Sequence, residues 1–295
     1  MSTEQLYKRA ERADDLSDLD LKDADMYQIA QAIYDSWFPG TNVEPSDLSY
    51  YDSHRKRAIR MLAPFREKIK GCFDAAKMTF KPADVEWMGH ANVGMYLSAL
   101  LESTAVDSML INNHTPSIDI DDLGGKTVEI LPGSSVGTVA FNNGTVINRG
   151  HVFDVMVRGP ATFINYGYGR LLNAYERSGL IVNFGEADSL GYECDEGVFL
   201  NFGELGNRAD EETSMGYCCT GGVYVAKTKP KGGCMVRAGG THYINPEQLA
   251  KRLELSALMD RIEEAGKTCD VQKIREYGRK VDENVRKKYV KRKVA

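Results

Sequence analysis

The chain has 295 residues, of which 42% are hydrophobic and 27% charged, so it is long enough to bury one large core or two modest ones. The net charge of −5 argues against a general affinity for polyanions, and no window approaches the roughly 18 apolar residues of a membrane span. The first residues, MSTEQLYKRAERADD, lack the apolar stretch of a secretory signal. We therefore expect a cytoplasmic protein without a membrane segment.

Residues 1–105 are predicted to form a helical N-terminal region. The segment MYQIAQAIYDSWF has apolar residues at helical spacing. A second helical pattern opens at Pro45 and runs to Phe73, with Pro64 expected to kink or divide it. A third helix is predicted around VGMYLSALLES. After this helix the composition changes, because β-branched residues, Gly and Asn become dominant.

Residues 106–245 contain an internal repeat. The segments VINRG, FINYG, IVNFG and FLNFG end at Gly150, Gly167, Gly185 and Gly203, a nearly constant spacing. After a longer step, LGYECDEGVFLNF (190–202) reappears as MGYCCTGGVYVAK (215–227), and the truncated copy GGCMV closes the series. One such unit cannot bury its apolar face alone, whereas stacked units can. We therefore predict an α+β protein, a right-handed β-solenoid with coils of about 18 residues flanked by N-terminal and C-terminal helices.

Two other architectures fit the repeat less well. A left-handed hexapeptide helix needs a small apolar residue every six positions, but steps of six from Ile164 reach Arg170 and Glu176. A β-sandwich needs hairpin turns between its strands, and such turns do not explain a register that is preserved over four coils.

One position of the repeat is occupied by asparagine in four coils: Asn148, Asn165, Asn183 and Asn201. Stacked coils place residues one period apart directly above one another, at the strand spacing of about 4.8 Å. We expect the four amides to form a hydrogen-bonded ladder at one corner, with the glycines that follow adopting a positive φ. This ladder is predicted to be structural.

The recurrence of LGYxCxxGVFLNFG and MGYxCxxGGVYV resembles the GXGXG-type β-solenoid over about residues 145–240. That family includes the C-terminal domain of the large glutamate synthase subunit and a subunit of formylmethanofuran dehydrogenase. The chain departs from the family's pattern where Glu196 replaces the glycine that matches Gly221, and where Lys227 stands in place of Phe202. The resemblance implies a structural and communicating element, and it transfers no active-site residue.

Residues 246–295 are predicted to form a C-terminal helical segment with a basic end. Asn245-Pro246 opens a capped helix, INPEQLAKRLELSALMDRIEEAG, and a second helix starts near Asp270. The basic residues either form a solvated helix end, where cations suit the helix dipole, or they contact phosphate or an acidic partner. The overall acidity argues against nucleic-acid recognition, so we expect truncation after Glu283 to change solubility or self-association instead. The cations are Arg286, Lys287, Lys288, Lys291, Arg292 and Lys293.

Few residues point to catalysis. The five histidines show no metal-binding spacing, and no phosphate loop, Rossmann fingerprint or GxSxG elbow occurs. The remaining candidate binding site is His90 with Asn92 in MGHANVGMYLS, because a helix N-terminus can bind an anion. No metal and no cofactor are predicted.

Two repeat positions carry side chains that allow either a structural or a functional interpretation. Cys194 and Cys219 are equivalent, and they either pack as small hydrophobic residues or form a soft-metal or redox pair. The six cysteines make no CxxC pair, so we expect reduced thiols. Glu186 and Glu204 also stack, and they either face solvent or hold a hard cation.

The expected function is that of an interaction scaffold. A solenoid has open ends that must be capped or paired, and the flanking helices are the natural caps. The protein is therefore expected to act through its solenoid surface, with a protein partner or by self-association. The alternative is an enzyme with a small-molecule or saccharide site in a groove between the solenoid and the helical region.

Overall fold

The computed structural model describes residues 24–37, 48–80, 92–112, 114–120, 123–174, 179–192, 194–206, 213–231, 233–236 and 241–293. Within these ranges the chain forms a parallel β-solenoid with helices before and after it, which confirms the predicted fold class. The strands belong to two sheets, here named sheet A and sheet B, and successive coils contribute to both of them.

Over the described residues, sheet A has nine strands in the order β1-β2-β4-β6-β8-β10-β12-β15-β17. These strands are β1 (Lys70–Asp74), β2 (Ala105–Ile111), β4 (Thr127–Ile130), β6 (Thr145–Asn148), β8 (Thr162–Asn165), β10 (Leu180–Asn183), β12 (Val198–Asn201), β15 (Gly222–Ala226) and β17 (Thr241–Ile244). All of their pairings are parallel.

Sheet B has eight strands in the same ranges, seven of them in the order β16-β14-β11-β9-β7-β5-β3, with β13 also paired to β11. These strands are β3 (His114–Ile120), β5 (Ser135–Asn142), β7 (His151–Arg158), β9 (Tyr168–Ala174), β11 (Glu186–Tyr192), β13 (Glu204–Leu205), β14 (Thr213–Cys219) and β16 (Gly233–Val236). Each parallel neighbour in these sheets comes from the next coil, as stacking requires.

The strand register follows the repeat read from the sequence. Thr162, Leu180 and Val198 align across β8, β10 and β12, each one repeat after the last. Val198 then aligns with Val223, which is the longer step that the sequence predicts. The same stacking continues toward the N-terminus through β4 and β2, where the sequence similarity between coils is weak.

Apolar side chains from the inner faces of both sheets fill the interior of the solenoid. Phe199 and Tyr224 stack face to face inside it, with ring centroids 4.4 Å apart. One inner column of sheet A, fully buried, consists of Val128, Val146, Phe163, Ile181, Phe199 and Tyr224.

The four asparagines form a continuous ladder at the corner between the sheets. Each Nδ2 donates to the Oδ1 of the next asparagine, from Asn148 to Asn165 at 2.7 Å and onward to Asn183 and Asn201 at 2.8 Å. Each Nδ2 also donates to a carbonyl beyond the corner, for example from Asn165 to Glu186 O on sheet B at 3.0 Å. All four side chains are fully buried, so the ladder satisfies polar groups inside the corner and joins sheet A to sheet B.

The prediction that the glycines after the ladder adopt a positive φ was wrong. These glycines are needed for a different reason. The positive-φ glycines lie elsewhere, for example at Gly179 and Gly197. At Gly185, an added Cβ would lie 2.2 Å from the carbonyl oxygen of Gly167 in the preceding coil, and Gly203 faces Gly185 in the same way at 2.0 Å. These positions require glycine because successive backbones approach too closely for any side chain.

The N-terminal helices pack together beside the first coils. They are α1 (Met26–Trp37), α2 (Leu48–Leu62) and α3 (Asn92–Ser103), and α3 packs against both α2 and β3. Asp25 caps α1, because its Oδ1 accepts a hydrogen bond from the Gln28 amide while its own amide donates to Gln28 Oε1. The helices thereby shield one end of the solenoid from edge pairing.

The helix predicted to continue to Phe73 was wrong beyond Leu62, and its predicted start at Pro45 lies outside the described residues. A short 3₁₀ turn, Ala63–Phe65, contains Pro64, and the chain then forms β1 in parallel with β2. Gly71 has a φ of +77°, which a helix does not allow, and Phe73 is fully buried in the core. The first strand of the solenoid therefore lies inside the segment that the sequence assigned to helices.

The C-terminal helices cover the outer face of sheet A. They are α4 (Pro246–Ala250), α5 (Leu253–Lys267) and α6 (Val271–Lys293), and a capping box between Asn245 and Gln248 starts the first of them. The prediction of one continuous helix from Pro246 was wrong at Lys251 and Arg252, which form a turn between α4 and α5. Glycines allow close contact with the solenoid, because a Cβ at Gly266 would strike the Phe184 ring at 2.4 Å. The shared apolar cluster includes Ile164, Leu180, Val182, Leu200, Val223 and Val225 from the sheet and Leu255, Met259, Ile262, Ile274, Val281 and Val285 from the helices.

Candidate functional surfaces

The predicted anion site at His90 and Asn92 stays a prediction. His90 lies outside the described residues, and Asn92 is the first residue of α3. No described contact brings this segment together with the basic end of α6, so the sequence-predicted binding residues belong to two separate regions of the chain.

The basic end continues α6, as the amphipathic pattern predicts. Val281 and Val285 are fully buried against the solenoid. Arg286 and Lys287 each pair with a carboxylate one turn earlier, at 2.7 Å and 3.4 Å. These exposed pairs contribute little to stability, but they neutralise the first two cations of the basic end. Lys288, Lys291, Arg292 and Lys293 lie on the last turns of the same helix.

Cys194 and Cys219 lie next to each other on successive coils and are fully buried. The Cys194 amide donates to Cys219 Sγ at 3.2 Å. Hydrogen bonding from Cys194 lowers the pKa of Cys219 to about 7. Across the part of the chain that the structure describes, no three His, Cys, Asp or Glu side chains are grouped so as to hold a metal ion.

A column of polar side chains runs along the outer edge of sheet B, beside the asparagine corner. Strand pairing places one residue from each coil in the column. The sequence repeat predicted only one part of it, the stacked Glu186 and Glu204. Both glutamates are exposed, and a hydrogen bond from Lys231 lowers the pKa of Glu204. In order, the column contains His114, Ser135, His151, Tyr168, Glu186 and Glu204.

One hydrogen bond ties this column to the middle of sheet B, and an ion pair lies within the middle of the sheet. The Tyr168 hydroxyl donates to Asp188 at 2.8 Å, which explains how a carboxylate only 1% exposed is accommodated. Arg170 donates to both carboxylate oxygens of Asp154 at 2.8 and 3.1 Å. These bonds order the polar side chains on a flat sheet surface.

A shallow groove of about 450 Å³ lies along the asparagine corner. Arg149, His151, Tyr166 and Tyr168 line it together with Glu186, Glu204 and the backbone of the corner glycines. The Arg149 guanidinium lies 4.8 Å from the Tyr166 ring centroid and donates to Glu129 at 2.6 Å. Because its main cation is already paired, the groove has the character of a mixed polar surface.

The outer face of sheet B differs from that of sheet A in what covers it. Phe153, Met156 and Leu171 are partly exposed and belong to neither hydrophobic cluster. Arg170 lies beside Phe153, with the guanidinium 5.8 Å from the ring centroid. In the described ranges, neither cluster connects these side chains to a helix, and no described helix packs on β7 or β9, so this part of the sheet B face is partly exposed.

A second and larger groove of about 610 Å³ lies between the solenoid and α6. Its walls carry Arg275 and Arg279 on the helix and Leu180 and Val198 on the sheet. This groove is the closest counterpart of the site expected for an enzyme, and sequence reasoning did not identify its residues, because they are far apart in the chain.

Among the described helices, none is long and apolar enough to cross a bilayer. Comparison of the chain with protein-family models, with curated proteins and with solved structures found no match.

Proposed function

We propose that this protein is an interaction scaffold, in which the solenoid presents the outer face of sheet B to a protein partner or to a second copy of the chain. One observation carries the proposal: the C-terminal helices cover the outer face of sheet A, whereas no described helix packs on β7 or β9 of sheet B, where apolar side chains are partly exposed. A partly exposed surface with apolar side chains is available for contact with another molecule.

The side chains of this face suit a protein interface. Phe153, Met156 and Leu171 supply apolar area, and the pair between Arg170 and Asp154 supplies orientation. Interfaces are enriched in aromatic residues, Met and Arg, and they combine an apolar centre with polar surroundings. The sheet below is fixed by hydrogen bonds to neighbouring coils, so binding costs little conformational entropy.

The likeness to the GXGXG-type solenoid supports the same function. In that family the solenoid looks like a structural and communicating element, without catalytic side chains. The parallel coils of this chain agree with such a role. Membership of the GXGXG-type family is proposed together with the scaffold function.

The alternative, an enzyme with its site in the groove between solenoid and helices, has weaker support. Asp282 and Glu283 line that groove, but each is paired with a cation on the next turn of α6. The described lining of the groove contains no His, Cys or Ser side chain that could act as a nucleophile or base.

The scaffold proposal is tested by placing a charge on the uncovered face. Phe153→Asp and Leu171→Asp would each bury an unpaired carboxylate in any interface formed there, so we expect them to weaken association by at least about tenfold. Light scattering measures self-association of the wild-type protein and of each variant. A partner captured from extract of the native cell is purified, and its affinity for each variant is measured by titration.

Leu253→Asp is the matched control, because Leu253 is 82% exposed and lies on α5, away from sheet B. Circular dichroism of every variant confirms that the fold is retained. The proposal would be contradicted if the wild-type protein is monomeric and no captured partner binds to it directly in the titration. Equal loss of binding in Leu253→Asp and in the sheet B variants would contradict it too.

A further inference from the structure

The groove between the solenoid and α6 combines an apolar floor with a helix face that carries two guanidinium groups. Pro160, Ala161, Leu180 and Val198 form the apolar side. A Cβ at Gly278 would lie 2.7 Å from Leu180, so α6 sits directly on the sheet there. The volume of about 610 Å³ is in the range of small-molecule sites.

Arg275 anchors the helix to the solenoid without a carboxylate partner. Its Nε donates to the Thr162 hydroxyl at 2.9 Å, and its Nη2 donates to Gly144 O at 2.7 Å and to the Thr145 hydroxyl at 2.8 Å. All three acceptors are neutral. Its Nη1 has no hydrogen-bond partner in the described part of the chain, and it is not shielded from solvent.

Partial burial is energetically unfavourable for a guanidinium whose charge has no counter-ion. Burial lowers the pKa of Arg275, and no carboxylate raises it again. The charge of Arg275 is thus compensated only by the dipoles of the hydroxyls and the carbonyl that it contacts.

The carboxylates on this helix face are paired with cations that do not line the groove. Arg279 lies one turn after Arg275 and also lines the groove. Glu276 pairs with Lys280, and the two carboxylates of the groove pair with Arg286 and Lys287. Within the described ranges, Arg275 and Arg279 have no carboxylate at ion-pair distance.

Gln272 completes the arrangement. It lies on the turn before Arg275 and lines the same groove, so an amide and two guanidinium groups follow one another along one helix face. Guanidinium groups form strong, often bidentate hydrogen bonds with carboxylate and phosphate oxygens, and an amide NH₂ group supplies further donors.

We propose that this groove binds a small organic anion, with its carboxylate or phosphate group held by Arg275, Arg279 and Gln272 and its apolar body against Leu180 and Val198. This site is on the sheet A side of the solenoid and does not depend on the proposed interaction surface of sheet B. It would let a metabolite strengthen the attachment of α6 to the solenoid.

The test uses four probes: benzoate, phenyl phosphate, acetate and inorganic phosphate, titrated into the full-length protein at physiological salt by calorimetry or NMR. Benzoate or phenyl phosphate should bind in a 1:1 ratio and at least about tenfold more tightly than its small counterpart, because only the aryl probes reach the apolar floor. The preferred pair identifies the head group.

Arg279→Gln should weaken binding of the preferred aryl probe by about tenfold or more, because it removes a charge-assisted hydrogen bond on an exposed residue. Lys251→Gln is the matched control: it removes the same charge from an exposed residue that has no ion pair in the described ranges and does not line the groove. Arg275→Gln should abolish binding, and a thermal melt of this variant reports whether α6 stays attached.

Three results would overturn the proposal. None of the four probes binds at millimolar concentration, or acetate and phosphate bind as tightly as the aryl probes, or Lys251→Gln weakens binding as much as Arg279→Gln. The last result would indicate a general attraction of anions to the cations of the protein surface.

Discussion

Sheets A and B are built by the same coils but carry opposite outer surfaces. The outer face of sheet A is apolar over its last coils, and helices α5 and α6 cover it. The outer edge of sheet B carries the column of His151, Tyr168, Glu186 and Glu204, and the middle of that sheet is only partly exposed. Over these coils sheet A is thus buried on both faces, as parallel sheets usually are, whereas no described helix packs on β7 or β9 of sheet B.

The two sheets therefore differ in how much a substitution should cost. A change in sheet A disturbs two cores, the interior of the solenoid and the cluster under the helices. A change on the outer face of sheet B disturbs neither. Binding sites are therefore expected on the outer face of sheet B or in the groove between the solenoid and α6.

The largest effect is expected at the corner that joins the two sheets. Gly185→Ala places a Cβ 2.2 Å from Gly167 O and 2.6 Å from the carbonyl carbon of Tyr166, so successive coils must separate. We expect the free energy of unfolding to fall by more than about 3 kcal/mol, measured by urea denaturation.

Gly133→Ala is the control for the corner variant. Gly133 has a φ of +83° but open space around its missing Cβ, so only backbone strain of about 1–2 kcal/mol is expected. Equal losses in the two variants would show that close coil contact at Gly185 is unimportant.

The next prediction compares the two outer faces directly. Leu200→Ala on sheet A leaves a cavity in the cluster under the helices and should cost about 2–5 kcal/mol. Leu171→Ala on sheet B removes a partly exposed side chain outside both clusters and should cost less than about 1 kcal/mol. Denaturant midpoints of the two variants measure the difference, and similar losses would mean that sheet B is also covered.

The asparagine ladder should give an intermediate effect. Asn183→Ala removes the acceptor of Asn165 and the donor to Asn201 and to Glu204 O, which leaves buried polar groups unpaired. The expected loss is about 1–3 kcal/mol in urea melts. Asn201→Ala at the end of the ladder disturbs a single asparagine neighbour and should cost less, and a neutral Asn183→Ala would argue against the ladder as a stabilising element.

The smallest effect is a pH dependence from the thiols of Cys194 and Cys219. The pKa of Cys219 falls from its ordinary value of 9.0 to about 7 in the folded protein. A lowered folded-state pKa contributes stability that is present above pH 9 and is lost as the pH falls through about 7. Stability should therefore rise between pH 7 and pH 9 by on the order of 1 kcal/mol.

Thermal melts at several pH values in the presence of a reductant measure this rise. Cys219→Ser should flatten the curve, because a serine hydroxyl does not ionise in this range. A rise that persists unchanged in Cys219→Ser would assign the pH dependence to another group.

The repeat, and the strand register that depends on it, could be read directly from the amino-acid sequence. Its spacing set the pairing of β6, β8, β10, β12 and β15, because identical positions must stack when coils of one chain pair in parallel. Capping residues and apolar spacing likewise located α1, α5 and α6, since these signals are local.

Features that depend on distant neighbours emerged only in the folded chain. Residues 70–74 became β1 because β2 offers a parallel partner, against their local helical pattern. Gly185 is required by the carbonyl of another coil, and the groove joins Leu180 to Arg275, which lie far apart in the sequence. The local propensity of a segment contains no information about such contacts, because they form between residues that come together only when the coils stack.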